Sequence, residues 1–477
     1  MNDQPIEVVI LAAGLGTRMK SETIKILHRA AGRPIVDYVL DLACRFTSEK
    51  PILVVGHQRD AVREHCGSRA RYVEQDKQLG TGHALLQAAA LLEGNRPSTV
   101  LVLSGDVPLT REATIRTLIE EHRAKQNSVT LLSMIPAEPA LYGRVVRGEN
   151  RELRSIVEAK DASADELTIS EVNAGIYAFE TSELFEALRS ISTNNAAAEY
   201  YLPDVIPHLR QKGRNVGAVL ITDPMEALGV NSRSELAAVE QELIRRRIAD
   251  LMREGVTFRN PSAVSVDSTV EIGPDTVIYP FVILEGNTKI GSRCVIEAGV
   301  HLKNVTVEDD VTLRTGSVAD EATIQTHATV GPYAHLRPGT ILGRSVKIGN
   351  FVETKKAVFR EGAKASHLSY IGDAEVGAEA NIGAGTITCN YDGVNKHKTT
   401  IGAGAFIGSD SQLVAPVTIG SGAYVGAGST ITKDVPADSL ALSRIPQRVV
   451  ADWAAKRRSE IQKTQPETNE DGGKSKA

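Results

Sequence analysis

A chain of 477 residues is too long for one ordinary hydrophobic core, so two large domains are expected. Its formal charge of −5, with no basic stripe before the extreme C-terminus, leaves nucleic-acid binding without support. No apolar run approaches the roughly 18 residues of a membrane span, no signal-peptide pattern opens the chain, and Cys44, Cys66, Cys294 and Cys389 lack metal or disulfide spacing, which reads as a cytoplasmic protein with reduced thiols.

Residues 6 to about 230 alternate apolar strand-like runs with amphipathic helical stretches, the mark of an α/β sheet. Buried strands are predicted at 7–12, 51–55, 99–103 and 129–134. The first strand runs into Ala12-Ala13-Gly14-Leu15-Gly16-Thr17-Arg18-Met19, with Lys25 seven residues after Arg18. This is neither the dinucleotide fingerprint, which needs a third Gly where Met19 stands, nor a P-loop, which needs Lys-Ser/Thr directly after its last Gly. It remains a Gly-bearing loop at the C-terminal end of a strand, where open α/β sheets bind ligands. Backbone N–H groups there can cradle phosphates, with Arg18 and Lys25 as fixed positive charge; the loop alone reads equally well as a structural turn. Gln75 precedes a second Gly-rich turn, Gln78-Leu79-Gly80-Thr81-Gly82-His83-Ala84, and the 99–103 strand ends in Ser104-Gly105-Asp106-Val107-Pro108. An Asp at that strand end is placed to hold Mg²⁺ against substrate phosphates, or to cap a turn.

Ser232 and Glu235 form a capping box, and Leu236, Val239, Leu243, Ile244, Ile248 and Leu251 make a helical stripe ending at Gly255. From Ile272 an aliphatic returns every sixth position: Ile272, Ile278, Leu284, Ile290, Ile296, Leu302; after a lapse Val318, Ile324, Val330, Leu336, Leu342, Ile348; and later Ile401, Ile407, Leu413, Ile419, Val425, Ile431. Neither a helix nor a plain strand has that period; a parallel β-helix does, each hexad giving one short strand and one turn around a narrow core. Gly follows the aliphatic at positions such as 273, 291, 402 and 408, where a Cβ would clash. Polar groups gather where the rhythm breaks: Arg337, Asn350 to Lys356, His367 to Asp373, Asn381 to Thr386, and Cys389 to Gly393. A coil needs none of these at its turns, so they are candidates for function. The charged tail is expected to be disordered.

The segment 11–18 with Lys25, 79–84 and Gly105-Asp106-Val107-Pro108 resembles the sugar-nucleotide pyrophosphorylases. Tyr142-Gly143-Arg144, Ile156-Val157-Glu158-Ala159-Lys160-Asp161, Asn194-Asn195, Glu199-Tyr200-Tyr201-Leu202, Gly229-Val230-Asn231 and the β-helix together resemble the bacterial bifunctional N-acetylglucosamine-1-phosphate uridylyltransferase/glucosamine-1-phosphate N-acetyltransferases, over about residues 6 to 453. The resemblance implies an α/β nucleotidyltransferase domain with a Rossmann-like, mostly parallel sheet (1–231), a linker helix (232–255), a left-handed parallel β-helix of hexapeptide repeats (256–456) and a disordered tail (457–477). It implies that Leu11, Ala12, Ala13, Gly14, Gln75, Gly80, Thr81, Ser104 and Gly105 surround the uridine nucleotide. Arg18 and Lys25 would face its phosphates, Asp106 and Asn231 would hold Mg²⁺, and Gly143, Glu158 and Asn173 would receive N-acetylglucosamine. In the β-helix it implies His367 as general base, Arg337 and Lys355 as the sugar-phosphate clamp, and Glu353, Tyr370 and Asn381 along the sugar. Asn390, Tyr391 and Ser409 would border the reaction centre and acetyl-CoA, with Ala384, Ala427 and Arg444 on CoA. UTP and acetyl-CoA would be co-substrates, and the β-helix would form a homotrimer.

The sequence departs from the family where Ile24 replaces a common Pro, Ser104 a Tyr, Leu141 a Gly and Ala174 a Thr, and where Ala197-Ala198 replace Gln-Gly. Two rivals are a monofunctional pyrophosphorylase whose β-helix only oligomerises, against which His367, Lys355, Tyr370, Asn390 and Tyr391 argue, and a non-catalytic regulatory subunit, against which Arg18, Lys25 and Asp106 argue.

Overall fold

A computed structural model describes residues 5–14, 16–94, 98–139 and 141–464. The chain divides into two compact units, Met1–Tyr333 and Ala334–Ala477.

The first unit begins with a sheet ordered 216–220, 129–134, 172–180, 99–104, 6–11, 52–55, 71–74. Ile6–Leu11 pairs in parallel with Ile52–Val55 and Thr99–Ser104, while Val172–Glu180 runs antiparallel to its neighbours. Val8, Ile10, Leu53, Val55, Leu101 and Leu103 enter one apolar cluster, and Val9, Ile52, Val54, Val100 and Val102 enter another. Alternate side chains of each strand thus find a dry layer on either face, which is why these strands read as continuous apolar runs. All four predicted strands are present, shifted by a residue at some ends.

The helix Arg233–Arg253 starts at Ser232, whose hydroxyl accepts from the Glu235 N–H. The Glu235 carboxylate accepts from the Asn231 N–H at 2.8 Å and the Ser232 hydroxyl at 2.9 Å, so the reciprocal half of the expected capping box lands one residue upstream. Val239 packs with Met19, Ala30, Ile35, Leu109 and Val230, joining the helix to the α/β region. Arg247 donates to the Val270 carbonyl at 2.6 Å, and Tyr38 to Ser268 at 3.0 Å, which ties the first coils into the same unit. The unit boundary therefore falls within the hexapeptide region rather than beside the linker.

In the first coils Val277 pairs with Val295 and Ile283 with His301, so one turn takes 18 residues. Each hexad buries two side chains: the aliphatic of the rhythm and the residue two before it, as in Thr276 and Ile278, Val282 and Leu284, Cys294 and Ile296. The lapse after Leu302 is a shortened coil, since Lys289 pairs with Thr306 and His301 with Val318. In consequence the expected inward position of Val318 is wrong: Val318 is 36% exposed, and Ala319, 4% exposed, fills the core. The five-residue step from Ala319 to buried Ile324 restores the beat.

The second unit contains the coils from His335–Leu336 to Leu440–Ala441, with longer ladders between Glu353–Phe359 and Tyr370–Val376 and between Lys347–Asn350 and Lys364–His367. Ile401, Ile407, Leu413, Ile419, Val425 and Ile431 are all buried. A Cβ on Gly402 would lie 2.4 Å from the Ser421 nitrogen, and one on Gly408 would lie 2.5 Å from the Ala427 nitrogen, so close coil stacking excludes a side chain there. Trp453–Thr464 is helical, so the expectation of disorder from 457 is wrong for 457–464; the rest of that expectation, 465–477, lies outside the described residues.

Candidate active sites

In the first unit, Leu11 and Ser104 are register partners at the C-terminal ends of adjacent strands. The loops leaving them open a cleft of roughly 420 Å³ lined by Leu11, Ala12, Ala13, Gly14, Lys25, Gln75, Gln78, Gly80, Thr81, Ser104, Asp106 and Glu199. Gly16 adopts φ 64°, and a Cβ on it would meet the Lys25 Cβ at 2.8 Å, so this glycine lets the loop close on the lysine. Ile24, at the position where the resemblance led to the expectation of Pro, sits at φ −58° and ψ 141° with its side chain buried. Proline would adopt the same φ, so the substitution keeps the path that aims Lys25.

Lys25 pairs with the Asp106 carboxylate and donates to Asn231 Oδ1 at 3.0 Å. The Val230 N–H donates to the Asp106 carbonyl at 2.9 Å, which brings the Asn231 segment there. A carboxylate and an amide oxygen thus converge on one cation, and these are the donors that a hard divalent ion takes. Among the described residues no group of three or more His, Cys, Asp or Glu gathers to hold a metal unaided. A two-oxygen site of this kind suits Mg²⁺, which keeps waters and takes phosphate oxygens for its remaining positions.

Gln75 is buried, and its amide nitrogen donates to the Gly80 carbonyl and lies 3.0 Å from His83 Nδ1. Backbone bonds from Gly82 to Tyr200 and from Tyr200 to Leu79 zip the 199–202 segment onto the Gly80 turn, delivering Glu199 to the cleft. Gln78 and Glu199 were not singled out from sequence as site residues, although both belong to the quoted motifs. Arg18, Gly105, Gly143, Glu158, Asn173 and Asn231 do not line this cleft. Arg18 is exposed on the turn Thr17–Met19; its charge opposes the burial that pushes the Tyr142 phenol up.

Gly143, Glu158 and Asn173 do come together. The Asn173 N–H donates to the Gly143 carbonyl at 2.8 Å, and a Cβ on Gly143 would lie 3.1 Å from Glu158 Oε1. The Asn173 amide donates to the Tyr177 hydroxyl at 2.6 Å and its oxygen accepts from the Gly175 N–H, so its polar atoms brace the strand bulge. Burial first, then the charges of Asp204, Asp161 and Glu199, push the Glu158 carboxyl up to about 7. Ser104 donates to the Gly175 carbonyl at 3.2 Å.

In the second unit, Arg337 donates to Glu353 at 2.7 Å, and Glu353 is the register partner of Tyr370. The Tyr370 hydroxyl and Asn390 amide both crowd Gly372, and Asn390 donates to Asp373. Lys355 lies against Lys396, with Arg337 near, and these like charges hold its ammonium below the ordinary value. Lys396, from the inserted loop after Asn390, is a third cation that sequence reasoning did not single out. Tyr391 is exposed, its hydroxyl donating to the Gly393 carbonyl at 2.6 Å. Asn381 extends the face that carries Lys364, and its next register partner is Phe406.

One coil corner forms a column. Asn350 is paired in register with His367, with Nδ1 of the ring 2.7 Å from Asn350 Oδ1. The Leu368 N–H donates to the Asn350 carbonyl, the Gly385 N–H to Leu368, the Asp410 N–H to Ala384 and the Gly428 N–H to Ser409. Arg444 donates to the Ala427 carbonyl at 3.0 Å. Asn350, His367, Ala384, Ser409 and Ala427 each precede a residue of positive φ, namely Phe351, Leu368, Gly385, Asp410 and Gly428. The proposed base and the proposed CoA residues thus occupy successive coils of one edge.

Residues 8–169 match the MobA-like NTP transferase domain, and residues 269–304 and 398–433 match the bacterial transferase hexapeptide, so the second architecture is a left-handed β-helix. A relative from Syntrophotalea carbinolica, called Bifunctional protein GlmU, is 52% identical over 95% of this chain and 97% of its own length. Relatives of the same description from Pelobacter propionicus and Geobacter sulfurreducens are 47% and 45% identical, over 93% and 95% of this chain and 96% and 99% of their own lengths. With identity at that level across nearly the whole of each chain, this protein belongs to the GlmU family of bifunctional proteins.

Proposed function

We infer that the chain makes UDP-N-acetylglucosamine in two transfers, acetylating glucosamine-1-phosphate on the β-helix and then joining the product to UMP in the α/β domain. In the first, the amine nitrogen attacks the acetyl-CoA carbonyl carbon, an N–C bond forms and the C–S bond breaks. His367 takes the proton from nitrogen, a general-base task open to a neutral imidazole, and CoA leaves as thiolate. Arg337 and Lys355 hold the sugar phosphate, where clustered cations gain a dianionic partner. Glu353, Tyr370 and Asn381 orient the sugar, Asn390, Tyr391 and Ser409 border the reaction centre, and Ala384, Ala427 and Arg444 seat CoA.

In the second transfer, a phosphate oxygen of N-acetylglucosamine-1-phosphate attacks the α-phosphorus of UTP and pyrophosphate leaves. Leu11, Ala12, Ala13, Gly14, Gln75, Gly80 and Thr81 position the nucleotide, Arg18 and Lys25 face its phosphates, and Gly143, Glu158 and Asn173 form the sugar pocket. Asp106 and Asn231 would hold Mg²⁺, which when bound neutralises phosphate charge. No side-chain nucleophile is required.

The observation that carries the reading is the set of polar side chains in the second unit, His367 held by Asn350, Lys355 against Lys396 and Arg337, and Tyr370 with Asn390 around Gly372, because a β-helix used only as a scaffold has no need of them. The domains proposed are 1–231, 232–255 and 256–456. A homotrimer is proposed because an open coil edge cannot enclose a substrate by itself, and a cytoplasmic location because the substrates are cytoplasmic metabolites. Purified protein should release both CoA and pyrophosphate from glucosamine-1-phosphate, acetyl-CoA, UTP and Mg²⁺. Omitting acetyl-CoA should abolish both products, and omitting UTP only the second. Pyrophosphate formed from N-acetylglucosamine-1-phosphate without any acetylation would leave the monofunctional rival standing.

A further inference from the structure

We propose that Asn350 is a positioning residue for acetyl transfer, its side-chain carbonyl fixing His367 in the tautomer that leaves Nε2 free to accept a proton; this rests on the reading of His367 as base. Asn350 closes the strand Lys347–Asn350 and His367 closes Lys364–His367, and the two are paired in parallel register. Between the strands, Gly349 comes so near the next coil that a Cβ would sit 1.8 Å from the Ser366 carbonyl oxygen. That close approach allows the short Asn350 side chain to reach the ring, with Oδ1 and Nδ1 2.7 Å apart. The Asn350 backbone holds the same corner, its carbonyl accepting from the Leu368 N–H at 3.0 Å.

A carbonyl oxygen can only accept. Paired with Nδ1 it requires the proton there, and the Nε2 lone pair is left for the substrate amine. A neutral carboxamide does this without adding negative charge, so it does not stabilise the imidazolium as a carboxylate would. The ionisable groups on the strands of this face are Lys347 and Lys364, with Lys364 Nζ 3.9 Å from Glu379; the next strand brings the neutral Asn381. Glu353, on the strand after the corner, is taken by Arg337. None of these supplies His367 with a carboxylate partner.

The test compares Asn350→Leu, Asn350→Asp and His367→Ala in the full-length protein, with uridylyl transfer from N-acetylglucosamine-1-phosphate as the control for intact protein. Asn350→Leu should lower kcat for acetylation about 10- to 100-fold, as loss of a ring-orienting partner does elsewhere, with KM for both substrates within about threefold. Asn350→Asp keeps the tautomer but favours the imidazolium, so the acid limb of kcat/KM should move up by about one pH unit and activity should recover above it. Asn350→Leu retaining more than half of wild-type kcat, or Asn350→Asp leaving the acid limb in place, would overturn the proposal. A measurement free of variants gives the same decision: ¹⁵N-histidine NMR of the wild type, with the His367 signals identified by their loss in His367→Ala, should show protonated Nδ1 and bare Nε2. A bare Nδ1 overturns it. Undiminished acetylation in His367→Ala would instead overturn the base assignment on which the proposal rests.

Discussion

The nucleotide cleft and the coil corner solve the same problem, holding a charged substrate, with opposite geometry. The cleft is concave, and two of its charged groups are already paired: Lys25 and Asp106, 13% and 18% exposed, lean on each other, and Lys25 also donates to Asn231. At the corner His367 is exposed, and on the neighbouring strand Lys355 faces like charge. A pocket at the ends of sheet strands can exclude water with the loops of one unit. The cleft therefore holds its cation against a carboxylate, whereas the exposed ring of His367 rests on the neutral Asn350.

The comparison breaks most sharply at His367. Its replacement by Ala should lower acetyl transfer about 10²- to 10⁴-fold and leave uridylyl transfer from preformed N-acetylglucosamine-1-phosphate unchanged. A variant keeping a tenth of the wild-type acetylation rate would put the base elsewhere in the corner. The matching change in the cleft is Asp106→Ala, which removes the carboxylate that pairs with Lys25 beside Asn231. Uridylyl transfer should fall about 10²- to 10³-fold at saturating Mg²⁺, several kcal/mol of transition-state stabilisation, while acetylation continues. Near-normal pyrophosphate release would show that Asp106 serves only to pair with Lys25.

A thermodynamic contrast is next in size. Glu158 is buried among Asp204, Asp161 and Glu199 and its carboxyl is pushed up to about 7 from an ordinary 4.5. The folded state therefore holds a proton that the unfolded state releases, and its stability is full below about 4.5 and declines as pH rises through 7. Glu158→Gln should accordingly gain on the order of 3 kcal/mol over wild type at pH 8 and little at pH 4. Thermal melts across that range would refute the proposal if the difference between the two proteins did not grow with pH. The smallest effect belongs to the corner: Gly408→Ala would drive a Cβ to 2.5 Å from the Ala427 nitrogen and 2.7 Å from the Val425 carbonyl. Overpacking of that kind costs about 1–3 kcal/mol and should raise KM for acetyl-CoA by shifting Ala427. An unchanged melt and KM would mean that the coil spacing is softer than its geometry implies.

Much of this architecture was legible in the residues themselves, because a hexad repeat is enforced by a core one side chain wide. Ile272 to Leu302 and Ile401 to Ile431 point inward as their spacing requires, and the glycines after them mark backbone contacts between coils. The reading failed at Val318, where a coil shortened by one residue turned the aliphatic outward and put Ala319 in its place; a period is visible in sequence, but a phase slip is settled by pairing. Likewise the strand ends and glycine loops pointed to the cleft, while Ile24 shows that a departure from an expected Pro can keep a φ that Pro would adopt.

The one-dimensional order thus determined which elements form, where the narrow core lies and which residue types bring chemistry. Tertiary structure alone decided their company: that Lys25 lies on Asp106 and Asn231, that burial and then three carboxylates raise Glu158, and that Lys396 joins Lys355. It also decided the corner column, whose members are unevenly spaced because one coil carries the 390–398 loop and others are short. The physical reason is common to all of these. Packing of apolar side chains follows local period, whereas hydrogen bonds and charge interactions act over a few ångströms between residues of any separation, and only the folded chain determines which of them meet.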